Sequence, residues 1–204
     1  MPTAITGWVP FARILTLSSR LNSFPSSTRT LIRQLTHHEI KQSRREFPIR
    51  LLCPDWQDPR NVGAAFRLSD AAGIRQLILA GDTPAPPNSR INKTARSTVR
   101  SVPYRHYPDA VAALRELRGA GHYLLALEIT DQSQSIFEYS LPAAVREDQR
   151  DLVLVTGAES QGVAPDLLAL CHDSIHLPMF GQNTSMNVSV ATGIAVYELL
   201  RQLA

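Results

Sequence analysis

Short apolar runs that alternate with helix-period segments limit what this chain can fold into. Ile49–Cys53 (IRLLC), Gln76–Ala80 (QLILA), His122–Ile129 (HYLLALEI) and Asp151–Thr156 (DLVLVT) are rich in leucine, isoleucine and valine. They are too short for buried helices and have the composition of strands covered on both faces. Between them, Asn61–Ala72, closed by Gly73, and Pro108–Gly119 have helical spacing. This order predicts an α/β fold, a mostly parallel sheet with helices on both faces. Ser174–Met179 reads as a further short strand, and Thr130–Gln149 as a polar connection over the sheet edge.

A chain of 204 residues with 44% hydrophobic content can bury one good core. That core is expected over residues 48–204. No apolar run approaches the roughly 18 residues of a membrane span. Cys53 and Cys171 lie far apart and form no C-x-x-C pair, which fits a reducing, cytoplasmic compartment and points to no disulfide framework and no zinc site. No side-chain cluster suggests a metal. No G-x-G-x-x-G follows the first strand, which disfavours an ordinary dinucleotide site.

Charge is unevenly spread. The first 50 residues carry eight basic side chains against two acidic ones, and the remainder 13 against 16. Residues 1–47 are therefore expected to form a basic extension suited to a polyanion. Met1–Ser27 reads as a leader of little order, or as the product of a start codon placed too early, although an organellar transit peptide has the same composition. From Thr28, Leu31, Ile32, Leu35 and Ile40 have the spacing of one amphipathic helix, with Arg33, Lys41, Arg44 and Arg45 on its polar side. Between Arg90 and Tyr107 there is no acid; were the segment helical, Lys93, Arg96 and Arg100 would form a cationic stripe able to track phosphates, or simply a solvated face.

Three polar stretches carry the chemistry. Asn61-Val62-Gly63-Ala64-Ala65-Phe66-Arg67 opens the first helix, with Asn61 where an N-cap belongs and Arg67 between apolar neighbours, a placement that favours an anion contact. Gly157-Ala158-Glu159-Ser160-Gln161-Gly162-Val163 follows the strand ending at Thr156 and lets a ligand approach backbone amides. Leu177-Pro178-Met179 is followed by Ser185-Met186-Asn187-Val188-Ser189-Val190-Ala191, which opens a small-residue helix running to Leu200.

In these three stretches the chain resembles the SpoU (TrmH-type) branch of the SPOUT RNA methyltransferases, a likeness that runs from about position 50 to the C-terminus. The resemblance implies a C-terminal trefoil knot, which periodicity cannot reveal. It implies S-adenosylmethionine as cofactor, held at Gly157, Leu177 and Met186 with Thr130, Pro178 and Ser185 as neighbours. Leu177 and Met186 suit a flat ring, although the same side chains read by themselves are core residues. The implied reaction is methyl transfer to an RNA ribose 2′-hydroxyl, with Arg67, Asn61, Glu159, Asn187 and Ser189 as the matching polar set. Family accounts make the arginine a general base; a guanidinium that grips phosphate and stabilises the alkoxide is the preferred role, because guanidinium almost never deprotonates. Structural support and catalysis both stay open for the other four. Lys93, Arg96, Arg100, Arg44 and Arg45 are the expected RNA contacts. A homodimer is implied. Transfer RNA is favoured over ribosomal RNA, since the separate N-terminal RNA-binding domain common in ribosomal members is not seen here. The alternative is a non-catalytic RNA-binding protein with the knotted shape.

Overall fold

The computed structural model describes residues 32–36, 38–40, 44–147 and 149–204. The chain divides into a short N-terminal unit, Met1–Gln42, and a compact unit, Ser43–Ala204. Within the first, residues 32–36 and 38–40 carry no helix, in contrast to the expected amphipathic one. Arg33 instead pairs with Glu39 at 2.6 Å, and Ile32, Leu35 and Ile40 are exposed. A helix of this kind draws its stability from burying its apolar face, and here that face is uncovered. Met1–Ser27, Leu31 and Lys41 lie outside the described residues.

In the second unit the elements run β1 (Phe47–Pro54), α1 (Pro59–Ala72), β2 (Ile74–Ala80), α2 (Ser89–Ala95), a 3₁₀ turn (Thr98–Arg100), β3 (Tyr104–Tyr107) and α3 (Ala110–Gly119). They continue with β4 (Tyr123–Leu127), β5 (Gln134–Ser135), α4 (Ala143–Arg146), β6 (Leu152–Thr156), α5 (Pro165–Leu168), β7 (Asp173–His176) and α6 (Val188–Leu203). The strands form one sheet in the order β3-β2-β1-β6-β4-β7-β5, and every pairing is parallel.

Successive strand residues face opposite layers, as the two-residue strand period requires. Ile49, Leu51, Leu77, Leu79, Leu125, Leu152 and Leu154 pack with α1, α2 and α6, while Leu52, Ile78, Leu124, Val153 and Val155 pack with α3 and α5. Because β6 joins β1 to β4, the chain winds away on both sides of that seam. The carboxyl ends of β1, β6, β4 and β7 therefore open onto a common edge, the place where ligands enter open α/β sheets.

Three local expectations change. The N-cap of α1 is Asp58, whose carboxylate accepts from the Arg60 amide, with Pro59 as the first helical residue; Asn61 lies inside the first turn. The Lys93–Arg96–Arg100 stripe does not form on one helix. α2 ends at Ala95, Arg96 adopts φ 58°, and the Thr98 hydroxyl donates to the Ala95 carbonyl at 2.7 Å. The Ser- and Thr-rich stretch after Ala95 gives the backbone competing partners. Finally, β3, with its exposed YRHY sequence, lacks the apolar signature of the other strands and was not anticipated.

Gly63 sets the approach of α1 to α2: a Cβ there would lie 2.7 Å from the Thr94 Cβ and 2.9 Å from the Ile91 carbonyl oxygen. Gly63→Ala is expected to cost about 1–3 kcal/mol through forced separation of the helices. Gly119→Ala, where an added methyl meets nothing within 4 Å, is the control and should cost less than about 0.5 kcal/mol. Urea denaturation of the two variants checks the difference.

Candidate functional site

A cleft of about 630 Å³ lies at the shared carboxyl edge, within the range of small-ligand sites. One wall is the loop after β6. Ala158 and Gly162 exchange two backbone hydrogen bonds there, 2.9 and 3.0 Å long, and Gly162 has φ 68°. A Cβ at Gly157 would sit 2.5 Å from the Gly162 carbonyl carbon, so the loop closes on itself only with glycine at 157. Gly157, Leu177, Ser185 and Met186 all line the cleft, as the resemblance implies. Leu177 is buried, whereas Met186 is 36% exposed. Thr130 and Pro178 are not among the lining residues; the Thr130 hydroxyl pairs instead with that of Ser174 at 2.8 Å.

A hydrogen-bonded chain ties the three polar stretches together. Glu159 accepts from the Gln57 amide (2.8 Å), the Asp58 amide (3.1 Å) and Asn61 Nδ2 (3.0 Å). Asn187 Nδ2 in turn donates to Asn61 Oδ1 at 3.2 Å. Asn187 Oδ1 caps α6 by accepting from the Ser189 and Val190 amides, and it also accepts from the Ser189 hydroxyl at 2.6 Å. Asn61 is 7% exposed, so its amide is satisfied on both sides by partners 98 and 126 residues away in sequence. The carboxylate stands at the amino end of α1, where the helix dipole favours negative charge.

The cations are arranged less centrally. Arg67 is exposed on α1 and is not part of the cleft lining. Lys93, Arg96, Arg100 and Arg44 are also exposed. Arg45 lies over the Phe47 ring at 4.4 Å and donates to the Leu203 carbonyl at 3.0 Å, which gives it a place in anchoring the end of α6. Neither cysteine is a ready nucleophile: burial pushes the Cys53 thiol far up and that of Cys171 up to about 12. Among the described residues no group of three His, Cys, Asp or Glu side chains is placed to hold a metal ion. Likewise, no described helix is long and apolar enough to cross a membrane.

Two ionisable cleft residues are not marked by the sequence motifs, Glu128 after β4 and His176 at the end of β7. A signal for Glu128 existed: an acidic residue at the carboxyl end of an otherwise apolar strand, where open sheets place their ligands.

With this geometry in hand, comparison with known proteins is decisive on the family. A profile of the SpoU rRNA Methylase family matches residues 48–197. The chain belongs to the SpoU family. Among curated SpoU relatives, it is 31% identical over 172 residues to the 23S rRNA (guanosine-2′-O-)-methyltransferase RlmB of Vibrio parahaemolyticus, covering 83% of this chain and 66% of that protein. It is 32% identical over 155 residues to RlmB of a Burkholderia species, covering 76% and 60%. The chain thus spans less than two thirds of these relatives' length. Among solved structures, the AdoMet-bound rRNA methyltransferase of Sinorhizobium meliloti superposes with a TM-score of 0.70 at 25% identity, covering 79% of this chain and 59% of that one. The A. aeolicus TrmH/SpoU tRNA modifying enzyme gives 0.66 at 27%, covering 78% and 77%.

Glu159 supplies a pH test of this SpoU site. Partial burial pushes its carboxyl up, but Asn61 and the Gln57 and Asp58 amides together pull it below the usual value. A carboxylate lowered in this way stabilises the fold fully above its unfolded value of about 4.3, and that contribution is lost as pH falls through the folded value. Glu159→Gln is therefore expected to melt below the wild type at pH 7, with the gap closing as pH falls below the unfolded value of about 4.3 and through the lower folded one. Thermal melts across that range decide it; a gap independent of pH contradicts the assignment.

Proposed function

We propose that this protein is an S-adenosylmethionine-dependent methyltransferase acting on a ribose 2′-hydroxyl of RNA. The observation that carries the reading is the Glu159–Asn61–Asn187 chain of hydrogen bonds, which joins the three family stretches beside one cleft. The lining fits the cofactor: glycine at 157 leaves backbone groups open, and Leu177 and Met186 offer apolar surface for an adenine. S-adenosylmethionine, when bound, supplies an electrophilic methyl group. The fold is expected to be knotted at these loops, as the resemblance implies.

The protein's own residues must bind the RNA and orient the acceptor hydroxyl, whose proton passes to solvent water as the oxygen takes the methyl group and the sulfonium becomes a thioether. Asn187 and Ser189, at the amino end of α6, contribute a positive helix terminus and a hydroxyl beside the cleft. Arg67 holds the target phosphate and stabilises the developing alkoxide rather than acting as a base, because its proton is almost never released. Since Arg67 is exposed and outside the lining of its own cleft, the reading includes a homodimer that brings a second copy and the RNA against α1 and α6. The exposed row Val190, Ile194 and Tyr197, at i, i+4 and i+7 on α6, is an apolar face suited to that contact. Lys93, Arg96 and Arg100 contribute phosphate contacts from separate turns.

Ribosomal RNA is the better substrate proposal, against the expectation from sequence. The curated relatives quoted above are named for 23S rRNA. Transfer RNA is the second reading, favoured by two neighbours described as acting on tRNA, one of them covered over 95% of its chain at a TM-score of 0.65.

Incubation with tritiated S-adenosylmethionine and either unmodified rRNA or unmodified tRNA, followed by nuclease digestion, tests the proposal. Label on a 2′-O-methyl nucleoside from rRNA is the expected result, and label from tRNA alone would move the protein to the second reading. RNA binding without any transfer would make it a binding module. Arg67→Lys is expected to lower single-turnover methylation by about 100-fold; near-complete retention would remove the bidentate guanidinium role.

A further inference from the structure

Two carboxylates line the cleft, and they are used differently. Glu159 is engaged by three donors from the segment around α1. Glu128 sits at the carboxyl end of β4, where its backbone amide donates to the Ile175 carbonyl at 2.9 Å and so continues the pairing with β7. Its two carboxylate oxygens accept one backbone amide each: Oε1 from Ile129 at 2.8 Å and Oε2 from Val163, also at 2.8 Å. Oε2 lies directly under Gly162, so close that a Cβ on that glycine would sit 2.2 Å from it. Glu128 thus fastens the glycine loop after β6 to the end of β4, and Ile129 and Val163 are themselves cleft residues.

An ionised carboxylate offers about four acceptor sites. Two are taken by the Ile129 and Val163 amides, which leaves about one acceptor site on each oxygen of this cleft-lining side chain. The natural complement is a ligand group with two adjacent O–H donors. A vicinal diol meets that description, and it gains two charge-assisted hydrogen bonds without bringing a charge of its own into the cleft.

We infer that Glu128 is the residue that reads the ribose 2′,3′-diol of the adenosyl ligand, while its bonds to Ile129 and Val163 hold the carboxylate at the angle this requires. This rests on the proposed use of the cleft for S-adenosylmethionine. It adds a specificity-determining residue outside the three family stretches, and it makes the cleft selective for ribonucleoside over deoxyribonucleoside ligands. A carboxylate that only braced the loop would be indifferent to the sugar.

Calorimetry on the full chain with S-adenosylhomocysteine and with its 2′-deoxyribose analogue tests the inference. The wild type is expected to bind the deoxy analogue about 10-fold or more weakly, the scale of one hydrogen bond to a charged group. In Glu128→Gln the neutral amide should bring that ratio down to about three or less, chiefly by weakening the ribose ligand. A wild-type ratio near one overturns the inference, and so does a ratio that Glu128→Gln leaves unchanged while both affinities fall together, since that is the signature of a brace. If Glu128→Gln melts well below the wild type, Glu128→Asp replaces it; this variant keeps the charge but withdraws the oxygens by one methylene, and the ratio must fall there as well. Failure of either ligand to bind the wild type would instead remove the cofactor reading on which the inference stands, a result distinct from binding without discrimination.

Discussion

The carboxylate of Glu159 governs how the functional edge is assembled. It leaves a loop at the end of β6 and takes hydrogen bonds from the entrance to α1, a segment about 100 residues earlier in the chain. Without it, the Gln57 and Asp58 amides would turn to solvent and one end of the buried Asn61 side chain would lose its partner, and a buried polar group left unpaired costs about 1–3 kcal/mol. Asn61 hands the constraint on to Asn187, which caps the last helix. A single connected set of polar contacts therefore fixes where the β6 loop, α1 and α6 stand relative to one another. In such sets the members support each other and partial satisfaction is costly.

This constraint explains why glycine is needed where it is. Gly157 allows the β6 loop to double back on Gly162 and Val163, and Gly162 lets the chain pass over the Glu128 carboxylate with a left-handed backbone. The loop is consequently pinned from two sides, by Glu159 reaching toward α1 and by Glu128 reaching from β4. The cleft is the space left between these anchors. Its walls are set by backbone and short polar groups, which suits a ligand recognised through its shape and a small number of oriented donors. The cationic side chains Arg67, Lys93, Arg96 and Arg100 lie outside it on exposed positions.

Much of the fold was legible because each buried strand is a continuous apolar run and each long helix has a clear stop, as at Gly73. The failures have physical causes. β3 is exposed and polar, so it has none of the burial that marks β1, β2, β4 and β6. α2 ends early because hydroxyl side chains after Ala95 compete for its carbonyls, and no periodicity count registers that competition. Asn61 looked like a cap, yet the cap is Asp58 and Asn61 faces partners that only tertiary structure brings near. At the site, Gly157, Leu177, Ser185 and Met186 were legible through motif, whereas Thr130 and Pro178 lie beside the cleft rather than on it. Glu128 was hidden inside an apolar strand segment, and its role depends on a contact with Val163, 35 residues further on.

The central claim is that Asn61 and Glu159 act as one unit in shaping the cleft, and a double-mutant cycle on ligand affinity measures this directly. Binding of S-adenosylhomocysteine would be compared for the wild type, Asn61→Ala, Glu159→Gln and the double variant. The account predicts a coupling of about 1 kcal/mol or more, with the double variant little worse than the weaker single one. Losses that add within about 0.3 kcal/mol would contradict it.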